Sequence, residues 1–256
     1  GCYAAGKLDA LVVFARGLTK RRMFSLVDLT FSGAGMIAGG RLRTQLDEAL
    51  GTTRFEDLEI PLTAVATEIG SGHEVWLDRG QLTRALRASY ALPGIFEPIK
   101  FNGRWLFDGA LVNPLPVTVC RAKGAEIVIV LNVNHELRRP ALSTEAGLTP
   151  LPGEDDAVGG KAKSKGFFRR QFASPGSGPP GIATAMVDAF NISQDRIARS
   201  RLAGDPPDLA INTKLGSVGF FDFHRADEMI ELGRDATQKA LPEILELLAI
   251  QQPTGD

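Results

Sequence analysis

The 256-residue chain predicts an α/β protein whose sheet contains at least some parallel pairing. Three observations carry this. "IPLTAVATEI" at 60–69 is a nearly continuous apolar, β-branched run, as in a strand buried on both faces. "FNGRWLFDGA" sets an Asn-Gly pair between alternating apolar residues, which is a tight-hairpin pattern. A helical stretch then leads to a second apolar run, "EIVIVLNVN" at 126–134, so strand, helix and strand follow in order.

Taken from the start, residues 1–16 read as a helix with Tyr3, Leu8, Leu11, Val12 and Phe14 apolar and Gly17 as its stop. A glycine-rich connector, "MFSLVDLTFSGAGMIAGGRL", runs into a short amphipathic helix at about 40–50 that stops at Gly51. After the 60–69 strand, "GSG" turns the chain into "HEVWLD", a second strand. "RGQLTRALRASYAL" is a helix that ends before Pro93, because the residue before proline is biased away from the helical region. Asn102 and Gly103 suit a type I′ turn, which needs positive φ at both positions. Ile99 and Phe101 flank it on one side, Trp105 and Phe107 on the other. Asp108 therefore stands at the exit of a hairpin strand.

Asn113 is expected to cap a helix with Pro114 at its first position, where a missing N–H costs nothing. That helix ends near Gly124. Residues 138–180, rich in Pro, Gly and Ser, are expected to form a flexible insertion in a single domain spanning 1–256. A helix at about 182–202 places Met186, Phe190 and Ile197 on one face. A short strand "LAINT" follows, and a final helix from about Arg225 is expected to kink or restart at Pro242.

Composition narrows the function classes. Hydrophobic residues at 44% and charged residues at 23% are ordinary for a globular protein, and a net charge of -1 gives no basic field for nucleic acid. Cys2 and Cys120 are too few for a disulfide framework and lie in no metal-binding spacing, so a reducing compartment is the default. No apolar run reaches the roughly 18 residues that cross a bilayer. The expected location is cytoplasmic or peripheral to a membrane. A start of Gly-Cys-Tyr leaves an export signal open.

The segment "ASYALPGIFEPIKFNGRWLFDGALVNPLPV" (88–117) resembles the patatin-like phospholipase family. It carries Ala-Ser-x-Ala-x-Pro-x-x-Phe, then the hairpin, then Asp-Gly-Ala, then Asn-x-Pro, in the family's order. "YAAG" at 3–6 and "DFHRADEMIELGRDAT" near the end extend the likeness over nearly all the chain except 138–180. The resemblance implies a mostly parallel sheet between helices and a serine acyl hydrolase using a Ser-Asp dyad. Phospholipids or other acyl esters are the implied substrates, and the ester chemistry needs no metal or cofactor. Asp108 would be the general base, with Gly109 and Ala110 forming the turn that positions it.

A carboxylate is a weak base toward a serine hydroxyl, so it must lie close and partly desolvated. A dyad also needs no histidine, and His73, His135 and His224 read as surface or loop residues. One departure is plain: no Gly-x-Ser-x-Gly elbow occurs in 1–256. In the family the segment matching Tyr3–Gly6 lies about two turns past the nucleophile on one helix. The resemblance thus implies a serine upstream of Gly1, with the first strand and the oxyanion loop, and a chain inactive alone. A non-catalytic lipid- or protein-binding module on the same scaffold is the competing class.

Other candidates are weaker. Ser32–Gly40 could be taken for a phosphate cradle but lacks the P-loop lysine, and a connector is the plainer reading; Met36 within it is a candidate for the acyl-chain entrance. Residues 161–172, "KAKSKGFFRRQF", set five cations beside three phenylalanines and are a candidate contact with an anionic lipid surface. Ser89 belongs to a structural block rather than an elbow, and Arg84 and Arg87 read as surface charges.

Overall fold

The computed structural model describes residues 1–19, 21–22, 40–133, 182–213, 215, 218–219 and 222–250. Six strands and six α-helices occur among them, and the α/β class expected from the sequence is observed. The helices are α1 (Leu8–Arg16), α2 (Gly40–Leu50), α3 (Leu82–Ser89), α4 (Val117–Ala122), α5 (Ile182–Gly204) and α6 (Ala226–Ile250). The strands are β1 (Ala64–Glu68), β2 (Glu74–Leu77), β3 (Ile99–Phe101), β4 (Arg104–Asp108), β5 (Ile129–Asn132) and β6 (Leu209–Asn212).

Parallel pairing is present between β5 and β6, with Ile129 opposite Leu209 and Asn132 opposite Asn212. Among the described residues it is confined to that pair. The larger sheet runs β2-β1-β4-β3 and is antiparallel throughout. Connection length explains the difference. Short turns join β1 to β2 and β3 to β4, and such links can only reverse a strand, whereas β5 and β6 are joined through α5. At the hairpin tip, Asn102 (φ 48°) and Gly103 (φ 83°) both adopt the left-handed conformation that the Asn-Gly pair predicts.

Strand alternation and register assign the faces of the larger sheet. Ala66 faces Asp108 across β1 and β4, and Ile99 faces Leu106 across β3 and β4, so Ala66, Ile99, Leu106 and Asp108 project from one side. That side carries the main core, in which Ala66, Leu106, Leu82, Ala85 and Ala88 are essentially inaccessible. β1 is buried along almost its whole length, as its apolar run predicts.

The start of the chain differs from the single helix expected over 1–16. Gly6 has φ +65°, its N–H donates to the Tyr3 carbonyl, and the Lys7 N–H reaches back to Cys2. These bonds form a Schellman cap on the turn Gly1–Ala5, and α1 begins only at Leu8. Cys2 and Ala5 pack on the main core, and a Cβ placed on Gly1 would meet Leu86 Cδ1 at 2.4 Å.

Four further expectations are corrected. α4 starts at Val117 with Pro116 as N-cap, so Asn113 caps no helix. β5 is buried on one face only, since Ile129 and Leu131 are exposed. α5 buries Val187 and Ala198, while Met186 is 42% exposed. α6 runs through Pro242 without interruption, although proline lacks the amide proton for one helical bond. The 138–180 segment with 161–172, together with His135 and residues 33–39 with Met36, lies outside the described residues.

Candidate active site

Asp108 is the last residue of β4, and its position follows from local chain chemistry. The hairpin delivers it to the sheet end, and Gly109–Leu111 then closes a 3-10 turn for which Asp108 is the N-cap. Its Oδ1 accepts from the Ala110 N–H at 2.8 Å, the ordinary use of an aspartate at a helical start. Ala110 therefore contributes its backbone, and its methyl group is incidental to that bond.

The main chain of Asp108 is held from two other elements. Its N–H donates to the Ala91 carbonyl at 3.0 Å, and its own carbonyl accepts from Thr67 Oγ1 at 2.8 Å. The Ala-Ser-x-Ala-x-Pro block thus begins at the end of α3 and clasps Asp108 through Ala91. Leu92 and Ile95 of that block are buried with Val187 of α5. Ser89, the last residue of α3, has no hydrogen bond to Asp108 among the described residues.

Gly109 has a specific steric reason. A Cβ there would lie 2.3 Å from the Val65 carbonyl oxygen and 2.6 Å from its carbon, both main-chain atoms of β1. Close backbone approach, rather than positive φ, is what this position demands. The turn ends at Asn113, whose N–H donates to the Gly109 carbonyl at 2.9 Å. The buried Asn113 side chain donates through Nδ2 to both Glu74 oxygens at 3.1 Å, and Arg201 of α5 lies 3.5 Å from the same carboxylate. Thr67, Ala91, Glu74 and Arg201 escaped the sequence reading. Their roles depend on contacts far apart in the chain and leave no local pattern.

The electrostatics set Asp108 apart. Burial pushes its carboxyl up to about 6, and the single Ala110 N–H only partly opposes this. No cation is paired with it, and Oδ2 has no hydrogen-bond partner among the described residues. His73 lies in the exposed β1–β2 turn, and His224 sits beside Asp222 with Nδ1 4.0 Å from Oδ1. Neither is bonded to Asp108. Among the described residues no three His, Cys, Asp or Glu side chains converge as a metal set, and no helix is long and apolar enough to cross a membrane. What the arrangement offers is a partly desolvated, unpaired carboxylate on a residue held by three hydrogen bonds, suited to taking a proton from a hydroxyl on its own sheet face.

Comparisons with known proteins bear on the same region. A family model described as patatin-like phospholipase matches residues 3–121, which include Asp108 and the clasping block. An uncharacterized NTE family protein of Mycobacterium tuberculosis is 29% identical over 285 residues, covering 94% of this chain and 79% of that protein. A second protein of that description from the same species is 26% identical over 220 residues, or 84% of this chain and 35% of the relative. The mouse patatin-like phospholipase domain-containing protein 7 is 34% identical over 123 residues, which span 47% of this chain and 9% of that protein.

Proposed function

We propose, for a chain that belongs to the patatin-like phospholipase family, that Asp108 is the general base of an acyl ester hydrolase. Membership makes lipid hydrolysis the function class and an acyl lipid the substrate class. The finer reading is a Ser-Asp dyad whose serine lies upstream of Gly1, on the helix that the Gly1–Ala5 turn concludes.

The observation that carries it is the placement of the Asp108 carboxylate. It projects from the sheet face on which Cys2 and Ala5 pack, opposite the inaccessible Ala66. As the serine Oγ attacks the ester carbonyl, its proton passes to Asp108, and the bond between the acyl carbon and the alcohol oxygen breaks as that proton is returned to the leaving oxygen. Water then repeats the sequence on the acyl-serine. Oδ1 is occupied by the Ala110 N–H, which leaves Oδ2 for the hydroxyl. A carboxyl raised to about 6 is a better base than an exposed aspartate and is still mostly ionised at neutral pH. Gly109 and Ala110 are positioning residues. Residues 161–172 are the proposed contact with an anionic membrane, and the protein works in the cytoplasm or at that surface.

The test uses the complete gene product with a short p-nitrophenyl ester. Asp108→Asn is expected to reduce turnover by about 1,000-fold or more with unchanged circular dichroism. In the parent protein kcat/KM should rise with pH through about 6 and then level off. A variant that keeps its activity would show that another group takes the proton.

A further inference from the structure

Away from Asp108, a cleft of about 630 Å³ opens between α2, α3 and β3. Three arginines line it, Arg43 from α2 with Arg84 and Arg87 from α3, against one acid, Asp47. The chain carries a net charge of -1, so this concentration of positive charge is local and not a reflection of overall composition. The sequence reading of Arg84 and Arg87 as surface charges accounts for neither their convergence nor their restraint.

Arg84 is held in place. Its Nη2 donates to the Lys100 carbonyl at 2.6 Å, and its guanidinium lies over the Phe101 ring at 5.0 Å. A guanidinium fixed through one nitrogen and one face keeps its other donors available with little further loss of freedom. Arg43 donates to Asp47 at 3.3 Å, and Arg87 neighbours the Tyr90 hydroxyl. Thr52 and Gln81 add neutral polar groups to the wall. Such forks pair with the oxygens of carboxylates and phosphates alike, and three of them against one acid suit the more highly charged phosphate.

The cleft is also related to Asp108 in space. Ile99 in its wall is paired with Leu106, two residues before Asp108, and projects from the same sheet face. Two strand residues span about 7 Å.

We propose that this cleft binds a phosphate group, either free on a small soluble molecule or in the headgroup of an anionic lipid. The site stands on charge and geometry alone and does not require the dyad reading.

The test uses the complete gene product and its Arg43→Gln/Arg87→Gln variant, which leaves the Arg84–Lys100 bond intact. Glycerol 3-phosphate is titrated by calorimetry at low salt. Flotation is measured with phosphatidylglycerol vesicles and with phosphatidylcholine vesicles. A soluble phosphate site gives glycerol 3-phosphate binding that weakens by about tenfold or more in the variant. A headgroup site gives binding to phosphatidylglycerol vesicles that weakens similarly, with little binding of the soluble probe. Hydrolysis of p-nitrophenyl butyrate, which has no phosphate to bind at the cleft, should be unchanged in the variant, and this separates loss of the cleft from failure of Asp108. Binding of neither probe by the parent protein, or equal binding by parent and variant, would overturn the proposal. Loss of p-nitrophenyl butyrate turnover in the variant would do so as well, by making these arginines part of the ester site itself.

Discussion

Asp108 and Asp208 begin from the same chemistry and end in opposite states. Each stands at the end of a strand, and each accepts a backbone N–H, from Ala110 at 2.8 Å and from Val128 at 2.6 Å. Asp208 lies at the surface beside β6, and Arg121 Nη2 donates to it at 2.7 Å. The Val128 N–H, helped by Arg121, holds its carboxyl below the usual carboxylate range. Asp108 lies against the main core with no cation, and burial raises it to about 6. The difference teaches that solvent access and a missing partner, not the hydrogen bond they share, decide which carboxylate can do chemistry. Asp208 ties α4 to the β5–β6 pair, whereas Asp108 is left with basicity to spend.

The largest expected contrast is in turnover. Asp108→Asn should lose about three orders of magnitude, while Asp208→Asn should keep ester hydrolysis within a factor of about two. Equal losses in the two variants would erase the distinction. Next comes Gly109→Ala, because its new methyl group would collide with the β1 main chain and not with a movable side chain. A cost of about 2–3 kcal/mol is expected in urea unfolding, together with a fall in turnover as Asp108 shifts. Unchanged values would show that β1 and the turn separate easily.

The pH dependence of stability should have opposite signs at the two sites. Asp108 holds its proton more tightly folded than unfolded, so its contribution is greatest below about 4 and declines as pH rises to about 6. Asp108→Asn should accordingly be more stable than the parent by about 2 kcal/mol at pH 8, with the difference vanishing near pH 4. A flat difference across this range would mean that the carboxyl is not desolvated. Asp208 is depressed in the fold, so its contribution is present above about 4 and disappears as the pH falls below that. The smallest effect is therefore a slight loss of thermal stability in Asp208→Asn at neutral pH and none under strongly acidic conditions. An increase instead would contradict the ion pair with Arg121.

Much of the Asp108 neighbourhood was legible because its signals are local. Asn102-Gly103 demands a left-handed pair, the alternation around it assigns the strands, and Asp-Gly-Ala at the exit makes a capped turn. Asn113 shows the limit of such reading. Asn-Pro is a sound helix-start pattern, yet the side chain is drawn to Glu74, 39 residues earlier, and the helix begins at Val117. The first helix shows the same limit, since apolar periodicity runs across Gly6 while the backbone there turns left-handed.

By itself, the sequence determined the elements whose causes lie within a few residues: the hairpin, the buried β1 strand, and the aspartate with its glycine. Tertiary structure alone decided what that aspartate became. Its partial desolvation, the lack of a cation, and the clasp of Thr67 and Ala91 come from strands and loops distant in the chain. A side chain's charge state is set by everything packed around it, and no short stretch of residues contains that information.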